Sequence, residues 1–169
     1  ILAQRLRDIG VECRILNLNH AVLQAARHSL NFHHTSTWEG RLVREIRQFG
    51  PHFIGITCMF TMTHESLKRV CAVAGMTGVP IGIGGVHVTN DVERVLDDIP
   101  SASVAFLREG DNALPRFFEA VNGKPSDLGQ IIIRTKTDRI RIPTECLPDD
   151  DAISIIPAFD LLDIPDYAK

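Results

Sequence analysis

The sequence predicts an α/β domain: a doubly wound, flavodoxin-like or Rossmann-like parallel sheet with helices on both faces. An appended hairpin and an extended C-terminal tail follow it. Three observations carry this reading. Short, nearly continuous apolar runs recur about every 25 residues, near 53–58, 79–84 and 103–107, as suits strands covered on both faces. Between them, apolar residues fall at i, i+3, i+4 and i+7, the spacing of a helix with one buried side. Strand and helix thus alternate as in βαβ units joined by right-handed crossovers.

Residues 1–9 form a helical face through Leu2, Ala3, Leu6 and Ile9, stopped by Gly10. Residues 11–18 read as a strand, with Val11, Cys13 and Ile15 inward, and 20–30 as a short helix before a polar loop at 31–37. Leu42, Val43, Ile46 and Phe49 mark a helix from about Trp38, ended by Gly50-Pro51. The run FIGITC at 53–58 is a strand, and Leu67, Val70, Cys71 and Ala74 mark the next helix. A strand at 79–84, a helix through Val92, Val95, Leu96 and Ile99, a strand at 103–107 and a helix through Leu114, Phe117, Phe118 and Val121 complete the alternation. Residues 131–134 and 139–142 alternate around Thr137-Asp138, the pattern of a hairpin. From Pro143 the composition shifts to prolines and the run Asp149-Asp150-Asp151, with an apolar anchor at 153–156. The expected division is therefore a domain at 1–142 and a linker at 143–169. Doubly wound domains usually open with a central strand, and this chain opens in a helix. The expectation is a first strand upstream of Ile1, or another element filling the middle of the sheet.

Composition bounds the function. The 169 residues carry 44% hydrophobic and 23% charged side chains, close to the globular average, so the chain can bury a core without metal or disulfide. A net charge of −3 supplies no field of one sign for nucleic acid or anionic lipid. No apolar run reaches the length of a membrane span. Cys13, Cys58, Cys71 and Cys146 form no CxxC or CxxxCxxC and read as reduced thiols of a cytoplasmic protein.

In an open parallel sheet, ligands sit beyond the carboxyl ends of the strands. The informative segments are therefore 17–20, 57–63, 84–89 and 108–111. Gly84-Gly85 removes two Cβ atoms where backbone meets a ligand, or else serves a turn of positive φ. Thr57, Thr61 and Thr63 offer hydroxyls near a helix start, with capping the better reading of Thr63. Asp111 is most simply an N-cap, whereas Glu109 directly after a strand is harder to explain that way. His87 follows the glycine pair, and three roles stay open for it: a base, a ligand-contacting donor and a satisfied structural histidine. His52 and His64 look like surface or cap residues.

Other chemistries fit less well. From Gly82 the string GIGGVH places His87 where GxGxxG needs its third glycine, and it lies mid-chain, which argues against a dinucleotide site. GxxxxGK[ST] is absent. The middle strand ends in Thr57-Cys58 without the aspartate of a phospho-receiver. A flavin site would want strand-end aromatics, and only Phe60 qualifies. His20, His28, His33 and His34 cluster without metal-ligand spacing. No nucleic-acid motif and no supported nucleophile–base pair is present.

Taken in order, these loops resemble the cobalamin-binding domain found at the N-terminus of many radical SAM enzymes. The family's S/T-x-M-x-T loop is matched by Thr57-Cys58-Met59-Phe60-Thr61, its GGxH element by Gly84-Gly85-Val86-His87, and its GEGE-like element by Arg108-Glu109-Gly110-Asp111. Arg108 replaces a glycine and Asp111 a glutamate. Residues 1–19 are similar to the family's first helix and second strand, and the tail from Ile156 to Leu162 to the segment leading to a radical SAM barrel. The resemblance implies that the nucleotide tail of cobalamin runs beside Gly84-Gly85. The corrin then lies over the rim, with Thr57, Cys58, Met59, Phe60, Thr61, His87, Glu109, Gly110 and Asp111 lining the pocket. DxHxxG is absent, so no histidine ligand to cobalt is expected. The [4Fe-4S] cluster and S-adenosylmethionine are expected only in a partner domain, because CxxxCxxC is missing here. The chain is then a cofactor-holding module rather than a catalyst. Its parent is expected to be a radical SAM oxidoreductase or methyltransferase, with methyl transfer and ring rearrangement both open. The competing readings are a ligand-free interaction domain of the same fold and a small flavin or nucleotide binder.

Overall fold

The computed structural model describes residues 1–28, 34–144 and 154–162, with only the backbone described at 34–36. Three helices open the chain: α1 (Leu2–Asp8), α2 (Leu18–His28) and α3 (His34–Phe49). Then follow β1 (Ile54–Thr57), a 3-10 turn (Thr61–Thr63), α4 (His64–Gly75), β2 (Ile81–Gly84), α5 (Val86–Asn90), α6 (Val92–Asp98) and β3 (Ala102–Phe106). The order ends with α7 (Gly110–Val121), β4 (Ile131–Arg134), β5 (Arg139–Ile142) and a 3-10 turn (Phe159–Leu161). The sheet order is β1-β2-β3-β4-β5. The first three strands are parallel and the hairpin adds antiparallel to β3. Among the described strands the order therefore shows no reversal.

Helices cover both faces, as the spacing predicted. On one face Ile81, Ile83, Ala105 and Ile132 meet Leu42 and Ile46 of α3, Leu67 and Cys71 of α4, and Val95 and Leu96 of α6. On the other, Val104, Phe106 and Ile131 meet Ala113, Leu114 and Phe117 of α7, together with Phe53. The period-2 alternation of β2 explains its odd composition. Ile81 and Ile83 fill the first face, while Gly82 makes room on the second. A Cβ at Gly82 would lie 2.4 Å from Cζ of Phe53 and 2.9 Å from Cε2 of Phe106. Phe53 itself packs edge-on to Phe106 and Phe118, with centroids at 6.4 and 5.3 Å. The hairpin is locked by Arg134, whose guanidinium donates to the carbonyls of Leu96, Ile99 and Ala102, closing the C-terminal end of α6. Arg139 adds ion pairs to Glu93 and Asp97, at 2.8 and 2.5 Å.

Four expectations are corrected. Residues 11–17 form no strand, although Leu16 and Leu18 still pack on the main core. A strand exists only as part of a ladder, and among the described strands β1 pairs with β2 alone. The helix expected from Trp38 begins earlier, at His34; the rest of the polar loop, 31–33, lies outside the described residues. Residues 86–90, read as loop, make the short helix α5. The tail anchor is also different: Ile153 lies outside the described residues and Ile156 is exposed. Ala158 is buried instead, and Asp160 accepts both hydrogen bonds from Arg7 at 2.9 Å.

Gly82→Ala is expected to lower unfolding free energy by roughly 1–3 kcal/mol, as overpacking does. Urea denaturation with an unchanged slope is the check; full wild-type stability would show that the phenylalanine cluster yields freely.

Candidate cofactor-binding site

Because β1, β2 and β3 are parallel, their carboxyl ends open on one edge and their loops meet there. Thr57 pairs with Gly84 in the ladder. Just beyond, the Cys58 amide donates to the Gly84 carbonyl at 2.8 Å, and the His87 amide donates back to the Cys58 carbonyl at 3.2 Å. Between these bonds Gly85 takes φ +101°, and a Cβ there would sit 2.4 Å from the Cys58 carbonyl oxygen. The crossing of the two loops therefore explains this glycine without any ligand. The third loop is joined by Thr89, whose hydroxyl donates to the Gly85 carbonyl at 3.2 Å and accepts from the Arg108 amide at 2.7 Å. Arg108 holds φ +55°, a left-handed conformation costly for a residue with a Cβ. Glu109 is exposed, and Gly110 begins α7, with its missing Cβ facing Leu2 of α1 at 3.4 Å.

The convergence leaves an open ledge rather than a walled hole. By strand alternation Gly55, Thr57, Gly82 and Gly84 share one face. Over Gly82 that face is filled by Phe53 and Phe106, but a Cβ at Gly55 would meet nothing within 4 Å. Gly55 and Thr57 are both exposed. Beside them Met59, Phe60, Met62 and Val86 are 53%, 65%, 90% and 51% exposed, and Thr61 is exposed too. Exposed apolar side chains clustered at one rim are the usual mark of a contact surface.

Two of the expected pocket residues turn inward. Cys58 is buried, with its thiol 3.2 Å from the Thr63 hydroxyl. His87 is 3% exposed, in the first turn of α5. Thr63 occupies the N-cap position of α4, yet its hydroxyl donates to the Phe60 carbonyl at 2.7 Å and caps nothing. Asp111 lies inside the first turn of α7, after Glu109 at the N-cap, and makes no capping bond; its charge still favours the helix N-terminus.

His64 departs furthest from its surface assignment. It is 8% exposed; its Nδ1 lies 2.9 Å from Nε2 of His87, and its Nε2 lies 3.0 Å from Oδ2 of Asp98. A carboxylate only accepts, so Nε2–H of His64 donates to Asp98. Neutral His64 then offers Nδ1 as acceptor, and Nε2–H of His87 donates to it. The remaining Nδ1 of His87 is buried without a partner among the described residues. Burial first, then His64, push the His87 pKa below the ordinary histidine range; Asp91 opposes this and Arg94 adds to it.

Two surface depressions lie away from this rim. One of about 490 Å³ lies between α3 and α4, beside Val43, Arg44 and Met76. Another of about 640 Å³ lies at the hairpin, beside Arg134 and Arg141. Among the described residues no group of three metal-ligating side chains assembles, and no helix is long and apolar enough to cross a membrane.

Three outcomes are expected. Gly85→Ala should destabilise by about 2 kcal/mol or more, since positive φ and a backbone clash act together; thermal unfolding reads this. Arg108→Gly should raise stability by about 1 kcal/mol by relieving left-handed strain, read in the same experiment. The third concerns pH. Because the folded-state pKa of His87 is lowered, the unfolded chain takes up the proton first. The His87 contribution to stability is full above about pH 6.5 and is lost as pH falls through the lowered value. Denaturant midpoints from pH 8 to 5 in wild type and His87→Gln check this.

The comparisons agree with this geometry. A family model described as "B12 binding domain" matches residues 1–118. The chain is 27% identical over 108 residues to cytidylyl-2-hydroxyethylphosphonate methyltransferase of Streptomyces wedmorensis, a match covering 62% of this chain and 20% of that protein. Two solved structures of TsrM, a radical S-adenosylmethionine methyltransferase from Kitasatospora setae, share the fold at 16% identity. The one with cobalamin and a [4Fe-4S] cluster bound gives a TM-score of 0.66 over 88% of this chain and 26% of TsrM. The one with tryptophan and a SAM analogue gives 0.64 over 84% and 26%. The chain thus spans about a fifth to a quarter of the length of these relatives. Parallel strand-end loops joined at one rim, and a family match over most of the sequence, lead to one conclusion: the chain belongs to the B12-binding domain family.

Proposed function

We propose that this chain holds cobalamin for a neighbouring radical SAM domain of a larger enzyme, and that the parent reaction is a methyl transfer. The observation that carries the reading is the ledge at Gly55, Thr57 and Gly84, open beside a rim of exposed Met59, Phe60, Met62 and Val86. These residues fit the group. Absent Cβ atoms admit a flat or threaded ligand against backbone, and apolar side chains with nearby backbone amides suit a large, amide-fringed ring. Gly55, Thr57 and Gly84 would line the path of the nucleotide tail. Met59, Phe60, Thr61, Glu109, Gly110 and Asp111 would border the corrin. Cys58, Gly85 and His87 would act from beneath by shaping the loops. No cobalt ligand is assigned to His87, whose Nε2 is committed to His64.

Bound cobalamin supplies a cobalt centre able to carry an alkyl group. This chain's residues bind it, orient it and shield one side from water. An iron–sulfur cluster and S-adenosylmethionine belong in this reading to the partner domain, since no CxxxCxxC occurs here. Methyl transfer is favoured over the other parent reactions because both named relatives are methyltransferases. Free Cys13, Cys58 and Cys71, the last with its thiol pushed by burial up to about 12, support a cytoplasmic location in this reading.

Titration with hydroxocobalamin followed by gel filtration is expected to give a co-eluting corrinoid spectrum. Gly55→Val should weaken retention about tenfold or more while leaving the melting temperature unchanged, because its side chain enters open space on the ledge. A folded wild-type chain that never carries the corrinoid spectrum would overturn the reading and favour a ligand-free domain. Flavin bands in the protein as purified would point to the flavin alternative.

A further inference from the structure

The imidazole chain beneath the rim has a place in the fold that neither core packing nor the ligand ledge explains. His64 is the first residue of α4, directly after the loop that carries Met59 to Thr63. His87 lies in the first turn of α5, directly after Gly84-Gly85. Their 2.9 Å bond therefore ties the starts of two helices whose preceding loops form the rim. Asp98, at the end of α6, holds His64 in the tautomer that accepts from His87. We infer that His64, His87 and Asp98 are positioning residues for the cobalamin site, and that protonation of His87 releases the 58–63 loop from the chain around His87.

The proton count gives the mechanism. In the neutral pair, one N–H lies between the two rings, donated by Nε2 of His87 to Nδ1 of His64. A proton added to the unpartnered Nδ1 of His87 makes a buried cation with no acceptor. The bond from Nε2–H to His64 survives this protonation; what favours opening is the buried cation, whose new N–H finds an acceptor only when the helix starts part and water enters. The bond most exposed to this is the one from the His87 amide to the Cys58 carbonyl, because both of its ends move with the loops.

The charged and titratable groups around the pair come from three places. α4 gives His64, α6 gives Asp98 and Arg94, and the α5–α6 junction gives Asp91. Arg94 lies 3.9 Å from Asp98 and competes for the same carboxylate oxygen. β2 and β3, with sequences IGIG and ASVAF, contribute no ionisable side chain. Among the described residues Asp98 and Asp91 are the carboxylates that offset a positive charge on the pair, and one Asp98 oxygen is already engaged by His64. Burial, ahead of His64 and Arg94, holds the His87 pKa low.

This inference rests on the cobalamin reading for its purpose but not for its geometry, so the test has two readouts. The first is amide exchange of His87 in the cofactor-free chain, corrected for the intrinsic pH dependence of exchange. The second is retention of hydroxocobalamin on gel filtration from pH 7.5 to 5.5. In wild type, acidification should speed His87 exchange about tenfold, the equivalent of one lost hydrogen bond, and weaken retention in parallel. His87→Gln keeps a donor toward His64 and cannot titrate, so it should flatten both profiles. His64→Leu should speed exchange at every pH, and Asp98→Asn should do so to a smaller degree. Wild-type and His87→Gln profiles that coincide would overturn the inference; this comparison decides even if His64→Leu fails to fold. Exchange that responds to pH in a chain that never retains hydroxocobalamin would keep the positioning role and reject the cobalamin reading. Retention that follows no pH change would do the reverse.

Discussion

The rim of this domain depends on a backbone exchange between two strand-end loops. Cys58 donates to Gly84 and receives from His87, and the chain must pass through φ +101° at Gly85 to allow both. No residue with a Cβ satisfies these bonds without colliding with the carbonyl it faces. Once the exchange is made, the neighbouring features follow. Thr89 is placed to bond both the Gly85 carbonyl and the Arg108 amide, which brings the third loop to the same edge. The starts of α4 and α5 are brought close enough for His64 and His87 to meet. The open ledge is what remains on the far face of β1 and β2.

The two faces of the sheet divide the work. The face under α3, α4 and α6 is ordinary aliphatic core, built from Ile81, Ile83, Leu67, Val95 and their neighbours. The face under α7 is made from glycines on one strand and phenylalanines on others, so that Phe53 and Phe106 occupy the space over Gly82. Their rings stop short of Gly55. The same composition thus gives a packed core at the centre of the sheet and an open surface at its edge. The hairpin takes no part in the rim. It extends the sheet on the opposite side and is fastened through Arg134 and Arg139 to α6.

Arg108 shows how family resemblance and backbone geometry inform each other. The GEGE-like element has glycine at this position, and here the backbone keeps the left-handed φ of +55° that a glycine takes without strain. The loop conformation is held in part by the bond from the Arg108 amide to the Thr89 hydroxyl.

The alternation of elements, the two buried faces, the hairpin at 131–142 and the loops that form the rim are all legible from residue order alone, because those signals are periodic or local. Apolar spacing of 2 or 3.6 residues reports which face is buried, whatever lies opposite. Tertiary structure decided the rest. Residues 11–17 have the composition of a strand but no ladder beside them. Gly85 looked free for a ligand until the Cys58 carbonyl was seen against it. His64, Gly55 and Asp98 gave no local signal, since a buried hydrogen-bonded chain and an open ledge are relations between segments far apart in sequence. Cys58 lies in a strand-end loop and His87 in the first turn of α5, both beside the rim, yet their side chains turn into the core, because the crossing of the two segments fixes the backbone there and leaves them facing inward.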